Sequence, residues 1–200
     1  MDRAVNITLR FSRAAPPTWH ERWRDKTFLD YSLWICRLTH SPFSHVDLVL
    51  DNGDLLGASD NLHAPVIGPK SNPRGVAIRP VDYQRFAVRR DAVMPTTSAR
   101  KKRFTEFCME QLGKPFDTSA LKPTTFLSPD FRERDWRVDD KWWCAELMGC
   151  ATEYAPLLDW PIPGIKNRVT CADLILLLAP LYDFEMARKP LNIKLESWEL

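Results

Sequence analysis

Two short apolar runs, Ser44 to Leu50 and Asp54 to Ser59, flank the tripeptide Asp51-Asn52-Gly53, and this junction limits the possible folds more than any other stretch of the chain. Asn-Gly between two apolar runs is a hairpin signal, because both residues tolerate the positive φ of a tight turn. A hairpin cannot stand alone in water, so further strands must join it. Gly75 to Pro80 and Tyr83 to Arg90 read as two of them, and Val5 to Phe11, ended by Ala14-Ala15-Pro16-Pro17, as another. The stretch Asn61 to Pro73, rich in Pro, Gly and Asn, reads as a surface loop.

Helices must cover this sheet. Between Thr27 and Thr39 the residues Phe28, Tyr31, Leu33, Trp34, Ile35 and Leu38 recur at helical spacing, and Ser41-Pro42 stops the run. Ser98 to Leu112 is a second helix, with Phe104, Phe107, Cys108, Gln111 and Leu112 on one face and Gly113 as its left-handed cap. A third runs from Trp142 to Tyr154, with Asp139 or Asp140 as its cap. A fourth runs from Cys171 to Leu178 behind Thr170, and Pro180 ends it. Residues 114–138 show no sustained period and read as a long ordered loop bordering a site. The stretch 184–188 reads as a last strand. The expectation is one α+β domain over residues 1–200, a small antiparallel sheet packed against helices. With 200 residues, 44% of them hydrophobic and eight of them tryptophan, the chain can build a real core.

Several function classes fall away. The 28 Lys and Arg nearly balance the 26 Asp and Glu, which is not the basic surplus of a nucleic-acid binder. The densest basic stretch, Arg100 to Arg103, reads as a solvated helix face. No apolar run reaches the length of a membrane span, and the start of the chain lacks a signal peptide, so the expected location is the cytoplasm. Five scattered cysteines, an odd number, point to reduced thiols.

One of these thiols is placed for chemistry. In Trp142-Trp143-Cys144-Ala145-Glu146-Leu147 the cysteine sits in the first turn of a helix, where unpaired N–H groups and the helix dipole favour the thiolate. The same N–H groups can face the oxyanion of an attacked carbonyl. Cys144 read as a small buried hydrophobe fits the pattern equally well. A nucleophilic cysteine needs a base. His45, on the first strand of the hairpin, is held more firmly than His20, His40 or His63. Cys36 and His40 lie four apart on a helix with His45 near, but no fourth ligand completes a zinc site; no metal or cofactor is expected.

Four segments, in order, resemble the circularly permuted branch of the NlpC-type papain-like superfamily, which includes YiiX-like bacterial proteins and lecithin:retinol acyltransferase relatives. They are Ser44-His45-Val46 opening a strand, Gly113-Lys114-Pro115-Phe116-Asp117 after a helix, Trp143-Cys144-Ala145-Glu146-Leu147, and Val169-Thr170-Cys171-Ala172-Asp173-Leu174 with Cys171 where the family has proline. The resemblance covers roughly residues 27 to 178. It implies a papain-like fold with Cys144 as nucleophile and His45 as base, the histidine strand preceding the cysteine helix. The family also places a polar third residue on the next strand, and here that position falls near Gly57, which has no side chain. Asp47, Ser59, Asp60, a backbone carbonyl or a water are the remaining ways to orient His45. Asp47 is preferred over Ser59, although an i+2 neighbour lies about 6–7 Å along a strand.

The activity implied is that of a cysteine hydrolase, an amidase or endopeptidase acting on peptidoglycan peptides. The alternatives are lipid or thioester acyl transfer, and a structural module whose chemistry has lapsed. The wording of the central region looks most like versions encoded by tailed phages, which implies a virion-associated protein with phage structural proteins as partners. The substrate cleft is expected where the Cys144 helix meets the sheet, rimmed by the 61–73 loop and the 114–138 segment, with Trp136, Trp142 and Trp143 as aromatic walls. Cys108, Cys150 and Cys171 are expected to be buried and inert.

Overall fold

A computed structural model describes residues 4–20, 31–118, 140–157 and 169–179. Five strands form one antiparallel sheet: β1 (Ala4–Ala14), β2 (His45–Val49), β3 (Leu55–Ser59), β4 (Gly75–Arg79) and β5 (Phe86–Thr97), in the order β4-β3-β2-β1-β5. Among the described residues four helices pack with them: α1 (Tyr31–Thr39), α2 (Ser98–Glu110), α3 (Cys144–Tyr154) and α4 (Cys171–Leu178). The architecture is α+β. The expected strand over 184–188, the start of the first helix at 27–30 and most of the 114–138 segment lie outside the described residues.

The hairpin forms, with a looser turn than the two-residue kind. Gly53 takes φ of +90°, while Asn52 works through its side chain, accepting a bond from the Asp54 N–H at 3.1 Å. The fifth strand differs more from expectation: it starts at Phe86 and runs on to Thr97, and Tyr83 lies in the turn before it, its N–H bonded to Pro80 O at 3.0 Å. Pro95 had no place in a central strand, but β5 lies at the edge of the sheet, where a residue without an N–H is tolerated. The β1–β5 ladder runs from Ala4↔Thr97 to Arg13↔Val88 before a shift at Ala14.

Alternation along the strands builds the core. Ile7, Leu9 and Phe11 of β1, Val46 and Leu48 of β2, and Leu56, Ala58 and Val76 beyond them are buried with Phe104 and Cys108 of α2, Leu147 and Met148 of α3 and Leu174 and Leu178 of α4. Each Val, Leu, Ile, Phe or Met among them contributes about 1.5–3 kcal/mol through burial. Helix α3 is central, with every residue from Cys144 to Gly149 buried, so its register and its first residue are fixed by packing. Gly149 lets the chain at Val169 approach: a Cβ there would lie 3.0 Å from Val169 Cγ2. On the opposite face of the sheet Leu55, Ala64 and Tyr83 form a smaller cluster with Val49 and Phe86 against it. Asp47, two residues from Val49, shares that face.

Candidate active site

Cys144 is the first residue of α3, and Trp143 before it is extended, with φ −99° and ψ 162° and no side-chain capping bond. Asp140, one of the two expected caps, does not cap the helix. Asp140 adopts φ of +54° and pairs with Lys114 at 2.8 Å, and Asp139 lies outside the described residues. The reason is a backbone bridge: Trp142 N–H donates to Pro115 O at 3.0 Å and Asp117 N–H to Trp142 O at 3.1 Å. That bridge holds 142–143 extended, so the helix begins at Cys144, and among the described residues no side-chain cap covers its start.

The sulfur meets the start of β2. Its S–H donates to Ser44 O at 3.9 Å, and His45, the Val46 N–H and the Cys171 thiol stand near enough to shift its titration. His45 uses Nε2 for Asp47 Oδ1 at 2.8 Å, which leaves Nδ1 as the ring nitrogen for the sulfur. Burial opposes a charge on His45, but the Asp47 carboxylate and the Cys144 thiolate outweigh it and push its pKa up to about 10. Cys144 is held well below the usual thiol range by the Cys171 hydrogen bond, and by His45 and the Val46 N–H, against burial. Both shifts run in the direction of a thiolate–imidazolium pair.

Gly57 explains how Asp47 reaches the ring. Strands β2 and β3 pair Leu48 with Leu56, and continuing that register sets Asp47 opposite Gly57. A Cβ at position 57 would stand 2.1 Å from Asp47 Oδ1 and 3.1 Å from its Cγ. The carboxylate therefore occupies the space a side chain on β3 would fill. The 6–7 Å between alternate strand residues is bridged because both side chains lean along the strand toward each other. Asp47 is fully buried, and a buried carboxylate must be partnered. Tyr83 Oη donates to its Oδ2 at 3.3 Å, and burial followed by the Asp47 charge holds the Tyr83 phenol well above its usual pKa, hence protonated. Behind the Tyr83 ring stands the buried Arg79 guanidinium, 5.5 Å from the ring centroid and tied to Gly57 O at 3.0 Å. Arg10, opposite Asp47 on β1, adds positive charge nearby while bonding Asp91 at 2.7 and 2.8 Å.

Cys144, His45 and Asp47 thus come together; Ser59 does not join them. Its Oγ accepts the Asn61 N–H at 3.3 Å, because the chain turns at the end of β3. Trp142 and Trp143, expected as aromatic walls of a cleft, lie in the interior. Both are buried in the core, with the Trp142 indole donating to Gln111 Oε1 at 3.2 Å and the Trp143 indole to Val169 O at 2.9 Å. The extended bridge turns both rings inward. Trp136 lies outside the described residues.

Of the other cysteines, Cys108 is buried and pushed above the usual thiol range by its surroundings, while Cys150 is only half-buried. Sequence reasoning missed Cys171 as part of the site, where its thiol and that of Cys144 shift each other's titration. The signal was available: Thr170 is a cap, so Cys171 is a second cysteine at a helix start. No disulfide joins any of the five. Among the described residues no cluster of His, Cys, Asp or Glu is arranged to hold a metal ion, and no helix is long and apolar enough to cross a membrane. No family model, curated protein or solved structure matches the chain.

Proposed function

We propose that the protein is a cysteine hydrolase of the permuted papain-like kind, cutting an amide through an acyl-enzyme on Cys144. The observation that carries the reading is the buried chain of contacts from the Cys144 sulfur through His45 to Asp47, with Nε2 to Oδ1 at 2.8 Å. The thiolate attacks the carbonyl carbon, and the N–H groups at the uncapped start of α3 stabilise the oxyanion. Imidazolium at His45 protonates the leaving amine; neutral imidazole then activates the water that releases the acid. Asp47 holds the ring and stabilises its charged form. The sequence resemblance supplies the substrate class, peptide bonds of peptidoglycan, and a place on a phage particle. A lapsed structural module is disfavoured, because the glycine at position 57 makes room for Asp47 instead of emptying the site.

Two measurements test this. Iodoacetamide labelling with mass mapping should find one fast thiol, Cys144, far ahead of Cys108; uniformly slow labelling rejects the thiolate. Peptidoglycan stem peptides should then be cleaved by the wild type, and Cys144→Ala should lower the rate by about 10⁴-fold or more. Equal rates for the two proteins would reject the nucleophile.

A further inference from the structure

The site holds a second sulfur that hydrolysis does not use. Cys171 begins α4 as Cys144 begins α3, both are buried in the same core cluster, and each sulfur is near enough to shift the other's titration. Their closeness is built into the fold. The Trp143 indole, one residue before Cys144, bonds Val169 O, two residues before Cys171, at 2.9 Å, and Gly149 admits Val169 against α3. The contact joins the first residues of two packed helices whose starts are pinned to each other.

We propose that Cys144 and Cys171 form a peroxide-reactive dithiol site, in which Cys144 is oxidised by a hydroperoxide and Cys171 resolves the product into a reversible disulfide. This rests on the reading of Cys144 as a thiolate. In the first step the Cys144 sulfur attacks one peroxide oxygen: the S–O bond forms, the O–O bond breaks, and the departing oxygen takes a proton from the His45 imidazolium to leave as alcohol or water. In the second step the Cys171 sulfur attacks the sulfenic sulfur: the S–S bond forms, the S–O bond breaks, and the hydroxyl leaves as water with the Cys171 proton. Two thiols and one hydroperoxide give one disulfide, one alcohol or water, and one water. A dithiol reductant returns both thiols. The chemistry favours this route because a sulfenic acid with a neighbouring thiol condenses before a second oxidant arrives, whereas an isolated one proceeds irreversibly to sulfinic acid. The same nucleophile would then be switched off by peroxide without being destroyed.

The test treats the reduced full chain with stoichiometric hydrogen peroxide and maps it by mass without reduction. Cleavage after Lys166 and Arg168 puts Cys144 and Cys171 on separate peptides, so the disulfide is seen as a linked pair, and fragmentation of that pair assigns the bond to Cys144 and not to Cys150 on the same peptide. The expected result is that link, with Cys144 labelling suppressed about tenfold or more and restored by dithiothreitol. Cys171→Ser should give no link and accumulate sulfinic and sulfonic acids at Cys144. If wild type and Cys171→Ser overoxidise Cys144 at the same rate, the dithiol proposal is overturned and the nucleophile stands. If Cys144 neither oxidises nor alkylates faster than Cys108, both proposals fall together.

Discussion

Cys144 and Cys171 each open a helix, and the two helix starts are tied together, yet they are capped in opposite ways. At α4, Thr170 Oγ1 accepts the Asp173 N–H at 3.2 Å and the Asp173 carboxylate accepts the Thr170 N–H at 2.8 Å. That box satisfies orphan donors and places a negative charge at the positive end of the helix dipole. At α3 no side chain caps the start. The sulfurs follow suit: Cys171 is pushed up, first by donating to Cys144 and then by burial, and Cys144 is pulled down. A cysteine at a helix start is thus not a thiolate by position alone. Both helices carry an acid in the first turn, Glu146 and Asp173, and what separates the sulfurs is their company, since His45 and the Val46 N–H stand beside Cys144.

The largest way to break this contrast is Asp47→Asn. Removing the carboxylate lowers the His45 pKa, raises that of Cys144 and makes the sulfur more like Cys171. Peptide cleavage should fall about 10²- to 10⁴-fold. The pH profile of Cys144 alkylation should lose its upper break near 10 and show it at lower pH. The sign for stability is the same. What protonated His45 contributes is complete below about pH 6.5 and is lost in the wild type as pH rises through about 10; in the variant that loss should come earlier, as denaturant titrations across pH would record.

Gly57→Ala should have an intermediate effect. A methyl 2.1 Å from Asp47 Oδ1 forces the carboxylate aside, so cleavage should drop about 10- to 100-fold, with overpacking costing about 1–3 kcal/mol. Unchanged cleavage would mean that Asp47 does not orient His45. The smallest effect belongs to Thr170→Ala on the other helix. It removes the capping box at a cost of about 1 kcal/mol, and Tm should fall by about 2–4 °C. Cys171 should alkylate faster, with Cys144 close to wild type; slower labelling of Cys144 alone would show that the two helix starts are not separable in this way.

How much of this was legible in the sequence depends on the range of the interaction involved. The hairpin at Asp51-Asn52-Gly53, the helices around Phe104 and Leu174, and the cap at Thr170 are local patterns of turn chemistry and spacing, and they were readable directly. So was the pairing of a helix-start cysteine with a strand histidine. The continuation of β5 past Arg90 was not, because residues such as Pro95 become acceptable only when the strand lies at an edge.

By itself, then, the sequence determined the α+β layout, the nucleophile and base as candidates, and the short list of groups for orienting His45. Tertiary structure decided among those groups. Asp47 and Gly57 lie on different strands, and that one makes room for the other depends on side chains interlocking across the sheet, a steric fact with no linear pattern. The same holds for Trp142 and Trp143, which look like a binding surface in one dimension and are turned inward by a backbone bridge to Pro115 and Asp117. It holds too for Cys171, twenty-seven residues from Cys144 along the chain. The two sulfurs meet because long-range packing brings two helix starts to one point.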